Sequence, residues 1–257
     1  MNAREMIRRV AGPGLWADQA LFPKSCWVTG ASLAADENGL SAPIRQRLEK
    51  FGRWPYCLKC GMTMGPHAQS SGCPRCPARS ITIRQLVRAG PLSGPLSSLI
   101  HQLKFQRRWG IAPVLAEWMA AAMRHWADGP VDLLIPVPLH PLRRWSRGFN
   151  QASELADGIG DRLAVPLGDV LRRRRATRPQ THTQSATARA RNLAGAFRAS
   201  AEYDLSGLNV WLVDDVCTTG ATLHAAASAL RALPPNRRPA SISAVVAAVA
   251  DQTPVPD

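Results

Sequence analysis

The sequence predicts an α/β protein, in which a parallel sheet is flanked by helices and preceded by a small cysteine-rich module. From Leu92 onward, short apolar runs alternate with amphipathic stripes, as in parallel sheets whose strands are joined by helices. Residues 1–80 are instead rich in Gly, Pro and Cys and have weak periodicity. A chain of 257 residues suits two unequal domains, and we expect them to span residues 1–80 and 81–257.

The elements of the larger domain follow from apolar spacing. Apolar residues recur at spacings of three and four over 92–103 and over 111–126, which predicts two amphipathic helices. The run 131–137, bounded by Gly and Pro, is typical of a strand buried on both faces. The same patterns then predict a helix over 149–163, strands over 165–171 and 210–213, a helix over 223–233, and a strand over 242–250. The basic stretch 172–191 lacks an apolar stripe, so we expect a mobile functional loop there.

The charge balance indicates an anionic partner. The chain has 32 Lys and Arg against 18 Asp and Glu, a formal net charge of +14, which favours nucleic acid or phosphorylated small molecules. Its apolar fraction of 46% excludes a disordered polyelectrolyte. The longest apolar run, 244–250, is far shorter than the roughly 20 residues that span a bilayer. No apolar stretch follows the first arginines, so we expect a cytoplasmic protein without membrane insertion.

Residues 210–222 carry the strongest chemical signal. Four apolar residues precede Asp214 and Asp215, so we expect both carboxylates at the carboxyl end of a strand, where α/β sheets bind ligands. Gly220 lets a backbone approach a phosphate closely. The turn offers backbone N–H groups and hydroxyls at a helix N-terminus, which suits an anion; its residues are Cys217, Thr218, Thr219, Gly220, Ala221 and Thr222.

Two carboxylates beside a phosphate site fit a ligand that also carries hydroxyls. A ribose 5-phosphate unit would place its phosphate in the turn and its 2′- and 3′-hydroxyls on Asp214 and Asp215. The same carboxylates would act catalytically by stabilising an oxocarbenium-like C1 as a leaving group departs. The alternative is an acidic pair that only caps the following helix. The complete pattern from strand to helix favours the ligand site.

The cysteines form a second motif. Cys57 and Cys60 are a Cys-x2-Cys pair, as are Cys73 and Cys76, and twelve residues separate the pairs. This spacing predicts a tetrahedral zinc site. Zn²⁺ would be structural, since four thiolates leave no position for water. The alternative is four unrelated buried thiols.

Arginines are interleaved with aromatic residues in several segments. Trp109, Trp145 and Phe149 suit single-stranded DNA, whose bases stack on rings while its phosphates contact arginines. The alternatives are solvated loop charge and pyrophosphate binding. The basic residues concerned are Lys104, Arg107, Arg108, Arg143, Arg144, Arg147, Arg172–Arg175, Arg178, Arg189 and Arg191.

Residues 210–222 resemble the phosphoribosyl-pyrophosphate (PRPP) signature of type I phosphoribosyltransferases. Residues 99–105, 132–151 and 189–197 resemble the ComF/GntX group of competence-related proteins, and with the cysteine module the likeness covers nearly the whole chain. It implies a type I phosphoribosyltransferase-like fold behind a zinc-binding module, with PRPP and Mg²⁺ as ligands. It also implies a role in natural transformation, with single-stranded DNA and a competence helicase or other DNA-uptake protein as partners.

The resemblance assigns roles to two further loops. The loop at 139–147, with Arg143, Arg144 and Arg147, would contact pyrophosphate, and the loop at 172–192, with Arg189, would close over the ligand. Arginine-rich loops are what a pyrophosphate with Mg²⁺ requires. Family members often carry an earlier Cys-x2-Cys pair. Here Thr29 stands where the second cysteine of a pair with Cys26 would be. Whether a second zinc site exists is therefore left undecided, and we expect a free thiol at Cys26.

Three functions are compatible with these motifs. The first is a ComF-like protein that binds PRPP and assists uptake or processing of single-stranded DNA. The second is an active phosphoribosyltransferase that transfers ribose 5-phosphate to a nitrogen nucleophile and releases pyrophosphate. The third is an inactive scaffold that binds DNA or protein through its basic surface. The intact motif argues against the third, and the lack of a recognisable base-binding hood weakens the second.

Overall fold

The computed structural model describes residues 25–33, 37–64, 73, 76, 83–139, 148–174, 193 and 195–251. Its helices are α1 (Ala42–Arg53), α2 (Gly94–Phe105), α3 (Ile111–Trp126), α4 (Gln151–Leu163) and α5 (Ala221–Arg231). Its strands are β1 (Leu86–Pro91), β2 (Leu133–Pro136), β3 (Leu171–Arg173), β4 (Phe197–Ala199), β5 (Asn209–Cys217) and β6 (Ser241–Val249). No helix among these residues is long and apolar enough to cross a membrane.

Four strands form the central sheet in the order β1-β6-β5-β2, and every neighbouring pair is parallel. The predicted parallel α/β architecture is therefore confirmed. The central strand β6 is buried along almost its whole length, as expected for a strand covered on both faces. Because all four strands run the same way, their carboxyl ends meet at one edge of the sheet.

Each face of the sheet has its own apolar core. On one face, Trp211 and Val213 of β5 pack with residues of helices α1 to α4. On the other face, Leu212 packs with α5, with the antiparallel pair β3–β4 and with Cys60 and Met62 of the cysteine module. The residues of β5 alternate between the two cores because successive side chains of a strand point to opposite faces.

Two elements near the start of the described chain were not predicted. Helix α1 buries Ile44, Leu48 and Phe51, a stripe with the spacing of a helix face inside a segment that looked aperiodic. Strand β1 was missed because Arg88 interrupts its apolar run, although Arg88 is completely buried. Its guanidinium lies 3.4 Å from the Asp251 carboxylate, and both side chains are inaccessible to solvent. The carboxylate that compensates the buried charge of Arg88 is thus distant in the sequence.

The strand predicted over 165–171 was wrong in its position. Leu167 makes only an isolated bridge with Leu134, and the strand there, β3, begins at Leu171. Arg172 and Arg173 therefore belong to a strand rather than to the predicted loop, because they pair with β4. The rest of that loop, 175–192, lies outside the described residues.

The loop from Tyr56 to Thr63, here called the Cys57 loop, covers the outer edge of β1. The Leu86 N–H donates to the Leu58 carbonyl at 2.6 Å, and the Arg88 N–H donates to the Tyr56 hydroxyl at 3.3 Å. Gly61 has φ +73°, and a Cβ there would lie 2.6 Å from a methyl carbon of Val249. The Cys57 loop thus shares a core with the sheet. The domain boundary near residue 80 stays a prediction.

Candidate functional site

The acidic pair lies inside β5 rather than beyond its end. Ladder pairing with β6 continues to Cys217, which pairs with Val249, and the Cys217 carbonyl accepts the Ala250 N–H at 2.9 Å. The predicted strand, 210–213, was therefore too short. The turn is correspondingly reduced to 218–220, and the two carboxylates belong to the sixth and seventh of the nine residues of the strand.

Asp214 and Asp215 are neighbours in a strand, so their side chains leave the sheet on opposite faces. Asp215 Oδ1 lies 3.0 Å from Lys104 Nζ, and the two side chains are only 12% and 20% exposed. The Asp215 N–H donates to Asp214 Oδ1 at 2.8 Å, which fixes the orientation of the first carboxylate. Lys104 was absent from the predicted site residues, although it lies in segment 99–105, which carries part of the resemblance.

The environment of Asp214 favours the protonated form of its carboxyl group. Burial raises the pKa of Asp214 from 3.8 to about 7, and the charge of Asp215 acts in the same direction. A hydrogen bond from the Asp215 backbone opposes this shift, as do the positive charges of Lys104 and Arg173. Near neutral pH, Asp214 is therefore poised to gain or lose a proton next to a carboxylate that Lys104 neutralises.

We expect Asp214 to make stability fall as pH rises from about 4 to about 7. Across this window the folded state holds a proton that the unfolded chain, with a pKa near 3.8, releases. Urea unfolding at pH 5 and pH 8 measures the effect against Asp214→Asn, which cannot ionise. The variant should gain stability relative to the wild type at the higher pH. Parallel stability profiles for the two proteins would refute the shifted pKa.

The turn after β5 has the features of a phosphate site. Gly220 caps α5 in the left-handed region, at φ +80°, a conformation that favours glycine. The first turn of α5 contains no acidic residue, so its N-terminal dipole is not neutralised. Thr218 is exposed, and Thr219, Ala221 and Thr222 are half-buried. The Cys217 side chain instead packs in the core, so only its backbone can contribute to such a site.

The predicted pyrophosphate residues lie outside the described part of the chain: Arg143, Arg144, Arg147 and Arg189. Their roles stay predictions. The residues that follow the first of these loops are placed, since Asn150 Nδ2 donates to the Val137 carbonyl at 3.2 Å. This bond holds the start of α4 against the carboxyl end of β2, at the same edge of the sheet as the acidic pair. Among the described arginines, Arg173 acts electrostatically on Asp214, which the sequence did not predict.

Cys57, Cys60, Cys73 and Cys76 form a cluster that can bind a structural metal. Their sulfur atoms all lie within 4.8 Å of one another. The distance from Cys57 Sγ to Cys76 Sγ is 3.3 Å, and that from Cys60 Sγ to Cys73 Sγ is 3.5 Å. Tetrahedral zinc with bonds of about 2.3 Å would set such sulfurs about 3.8 Å apart, so a small adjustment accommodates the ion. Four soft thiolate donors favour zinc over hard cations.

The loop from Ser25 to Ser32, here called the Cys26 loop, repeats the backbone pattern of the Cys57 loop. The Cys26 N–H donates to the Ala31 carbonyl, and the Cys57 N–H donates likewise to Met62. Both loops are closed by an isolated antiparallel bridge between their end residues and contain a glycine near φ +72°. The Cys26 loop thus has the backbone of a Cys-x2-Cys loop but contains only one cysteine.

Other groups surround the Cys26 sulfur. Ser41 Oγ donates to it at 3.6 Å, and α1 begins at the next residue. Burial opposes ionisation of Cys26, but hydrogen bonds from the Thr29 hydroxyl and from the backbone of Ser41, Thr29 and Val28 lower its pKa to about 6. Within the described residues, the Cys57–Cys76 group is the one cluster that qualifies as a metal site.

Comparisons with known proteins agree with this geometry. Residues 146–257 match the model of the phosphoribosyl transferase domain. DNA utilization protein YhgH of Salmonella typhi is 36% identical over 210 residues, which cover 78% of this chain and 88% of the relative. Competence protein F of Haemophilus influenzae is 35% identical over 222 residues, or 82% and 93% of the two chains. Competence protein ComFC of Bacillus subtilis is 26% identical over 189 residues, or 72% and 75%.

Proposed function

The chain belongs to the ComF family of competence and DNA utilization proteins, and from this premise we propose that it is a PRPP-binding protein that assists DNA uptake in the cytoplasm. Single-stranded DNA and a competence helicase or other DNA-uptake protein are its proposed partners. The net charge of +14 supports a polyanionic partner.

One observation carries the PRPP part of the proposal. An acidic pair, half-buried at Asp214 and buried at Asp215, and an unneutralised helix N-terminus lie within eight residues of each other at the carboxyl edge of a parallel sheet. In this arrangement Asp214 and Asp215 accept the ribose hydroxyls, and residues 218–222, which are the turn and the first two residues of α5, receive the 5′-phosphate. A ligand with a phosphate alone would not explain the two carboxylates.

The remaining groups complete the proposed complex. Mg²⁺ would arrive with the pyrophosphate, whose charge the arginines of the loop at 139–147 would balance. Lys104, whose Nζ lies 3.0 Å from Asp215 Oδ1, balances the charge of that carboxylate beside the ligand. A structural Zn²⁺ in the cysteine module would hold the Cys57 loop against the sheet.

Calorimetric titration of Mg²⁺-PRPP into the zinc-loaded full chain tests the proposal. We expect saturable binding with one ligand per chain. Free inorganic pyrophosphate and free ribose 5-phosphate should compete only weakly with PRPP, because each makes only part of its contacts. Absence of heat with Mg²⁺-PRPP, in protein shown to be folded and zinc-loaded, would overturn the PRPP assignment.

Phosphoribosyl transfer is a second candidate, favoured by the match of residues 146–257 to the phosphoribosyl transferase domain. In this reaction a nitrogen nucleophile would form a bond to C1 of PRPP while the C1–O bond to pyrophosphate breaks. Asp214 and Asp215 would stabilise the positive charge that develops at C1. Pyrophosphate release from PRPP, measured with bases and ammonia as acceptors, separates turnover from binding alone.

A further inference from the structure

The connection between α2 and α3 exposes an unusual pair of rings. Of the residues that the structure describes, Phe105 and Trp109 are the two large apolar side chains exposed to solvent, at 64% and 48%. Arg107 and Arg108 lie between them and are also exposed. We call these four residues the α2–α3 shelf. Single exposed apolar side chains are common, but two large rings exposed in one short connection are typical of a surface that binds a partner.

The charge around the shelf selects an anionic partner. The segment from His101 to Ala116 contains no Asp or Glu, whereas it contains the exposed Arg107 and Arg108. A protein partner that docks through apolar side chains alone would gain nothing from these arginines. A single-stranded nucleic acid offers both unstacked bases for the rings and phosphates for the arginines.

The shelf is held rigidly from beneath. The Arg108 guanidinium donates to Gln102 Oε1 at 3.0 Å, and the buried Gln102 donates in turn to the Trp27 carbonyl at 2.7 Å. The ring of Trp109 lies 5.4 Å from that of Phe149, centroid to centroid. Trp109 therefore keeps one flank on the fold while nearly half of its surface remains available. A ring fixed in this way loses little conformational entropy when a base stacks on it.

The shelf also adjoins the acidic pair. Lys104, which pairs with Asp215, directly precedes Phe105 in the chain. Phe149, against which Trp109 packs, directly precedes Asn150, the N-cap of α4, whose side chain donates to the Val137 carbonyl just after β2. The rings therefore lie beside the same edge of the sheet as the proposed ribose site.

We infer that the α2–α3 shelf binds single-stranded nucleic acid, with bases stacked on Phe105 and Trp109 and phosphates on Arg107 and Arg108. The inference deepens the proposed role in DNA uptake by assigning a surface to the strand, but it does not require PRPP binding. Duplex DNA, whose bases are already stacked on one another, should bind the shelf through its phosphates only.

The test uses the zinc-loaded full chain and a fluorescein-labelled fifteen-nucleotide oligo-dT, followed by fluorescence anisotropy. Phe105→Leu with Trp109→Leu keeps apolar bulk but removes both rings, and we expect at least tenfold weaker binding. Phe105→Tyr with Trp109→Phe keeps the rings and should bind within about twofold of the wild type. An abasic strand of the same length should bind wild type and the double leucine variant equally, because it has nothing to stack.

The arginines are tested by salt dependence. Arg107→Gln with Arg108→Gln should reduce the slope of log affinity against log salt concentration by about 1.4, since each single-strand phosphate contact contributes about 0.7. Arg231→Gln, an exposed arginine at the end of α5, is the matched control and should leave affinity within about twofold.

Two results would overturn the inference. The first is unchanged oligonucleotide affinity in the double leucine variant; if that variant also loses a protein partner, the shelf is a protein-docking surface instead. The second is an equal loss of affinity for the abasic strand, which would mean that the rings do not stack on bases. Calorimetry with Mg²⁺-PRPP, run on the same variants, keeps this test separate from the proposed function. Ring-dependent DNA binding in a protein that does not bind PRPP would leave the inference standing.

Discussion

Removal of zinc is expected to destabilise the α/β domain and not merely the cysteine module. Cys60 and Met62 are part of the same core as the sheet and α5, so the Cys57 loop cannot separate without exposing apolar surface of β1 and β6. Structural zinc contributes about 10–16 kcal/mol of apparent binding free energy, whereas whole domains are stable by about 5–15 kcal/mol. A loss of at least about 5 kcal/mol should lower the melting temperature by roughly 10–20 °C.

Thermal melts of zinc-loaded and chelated protein measure this effect, with released zinc quantified by a colorimetric indicator at one ion per chain. Cys60→Ser should reproduce the chelated state. Cys26→Ser is the matched control, because the Cys26 loop has the same backbone pattern but its cysteine lies outside the four-cysteine cluster. A melting temperature within about 3 °C of the wild type after verified zinc loss would contradict the prediction.

Asp214→Asn combined with Asp215→Asn is expected to reduce PRPP affinity by at least about 100-fold. Each carboxylate would accept a ribose hydroxyl, and hydrogen bonds to charged groups are worth about 1.5–3 kcal/mol. Two such bonds give about 3–6 kcal/mol, and each 1.4 kcal/mol is about a tenfold change in affinity. Calorimetric titration of Mg²⁺-PRPP measures the loss directly.

The control for this pair must account for Lys104. Asp215→Asn alone leaves the partly buried ammonium of Lys104 without its carboxylate, which can weaken the fold independently of the ligand. Lys104→Met with Asp215→Asn removes both charges and should restore the melting temperature without restoring affinity. Full recovery of PRPP binding in that variant would show that Asp215 supports the fold and does not contact the ligand.

Local sequence patterns sufficed for much of the fold and for placing the acidic pair on the strand that leads into the turn. The apolar runs of β5 and β6 and the stripe of α5 were evident because each signal lies within a few neighbouring residues. The acidic pair was found in the same way, since the chain itself places it next to the turn at 218–220. The exact position of the acidic pair in β5 could not be predicted, because the length of the strand depends on its pairing with β6.

Features that depend on contacts between residues far apart in the sequence could not be predicted from it. In the sequence, the charge of Arg88 disfavours a buried strand. Only the fold shows that Asp251, 163 residues away, lies beside its guanidinium. Lys104 was visible as one of many basic residues, but only the packing of α2 on the sheet brings it to Asp215. The Cys26 loop shows the same limit, because its likeness to the Cys57 loop lies in hydrogen bonds rather than in matching cysteines.

The cover of β1 by the Cys57 loop bears on how the protein behaves when metal is scarce. The outward N–H groups of Leu86 and Arg88 are satisfied by Leu58 and Tyr56, which flank Cys57, a proposed zinc ligand. If zinc is lost and this loop detaches, β1 becomes an open edge that can add a strand from another copy. Zinc depletion would then produce aggregates joined edge to edge. In a cell, metal supply would thereby set how much of the protein avoids this aggregation.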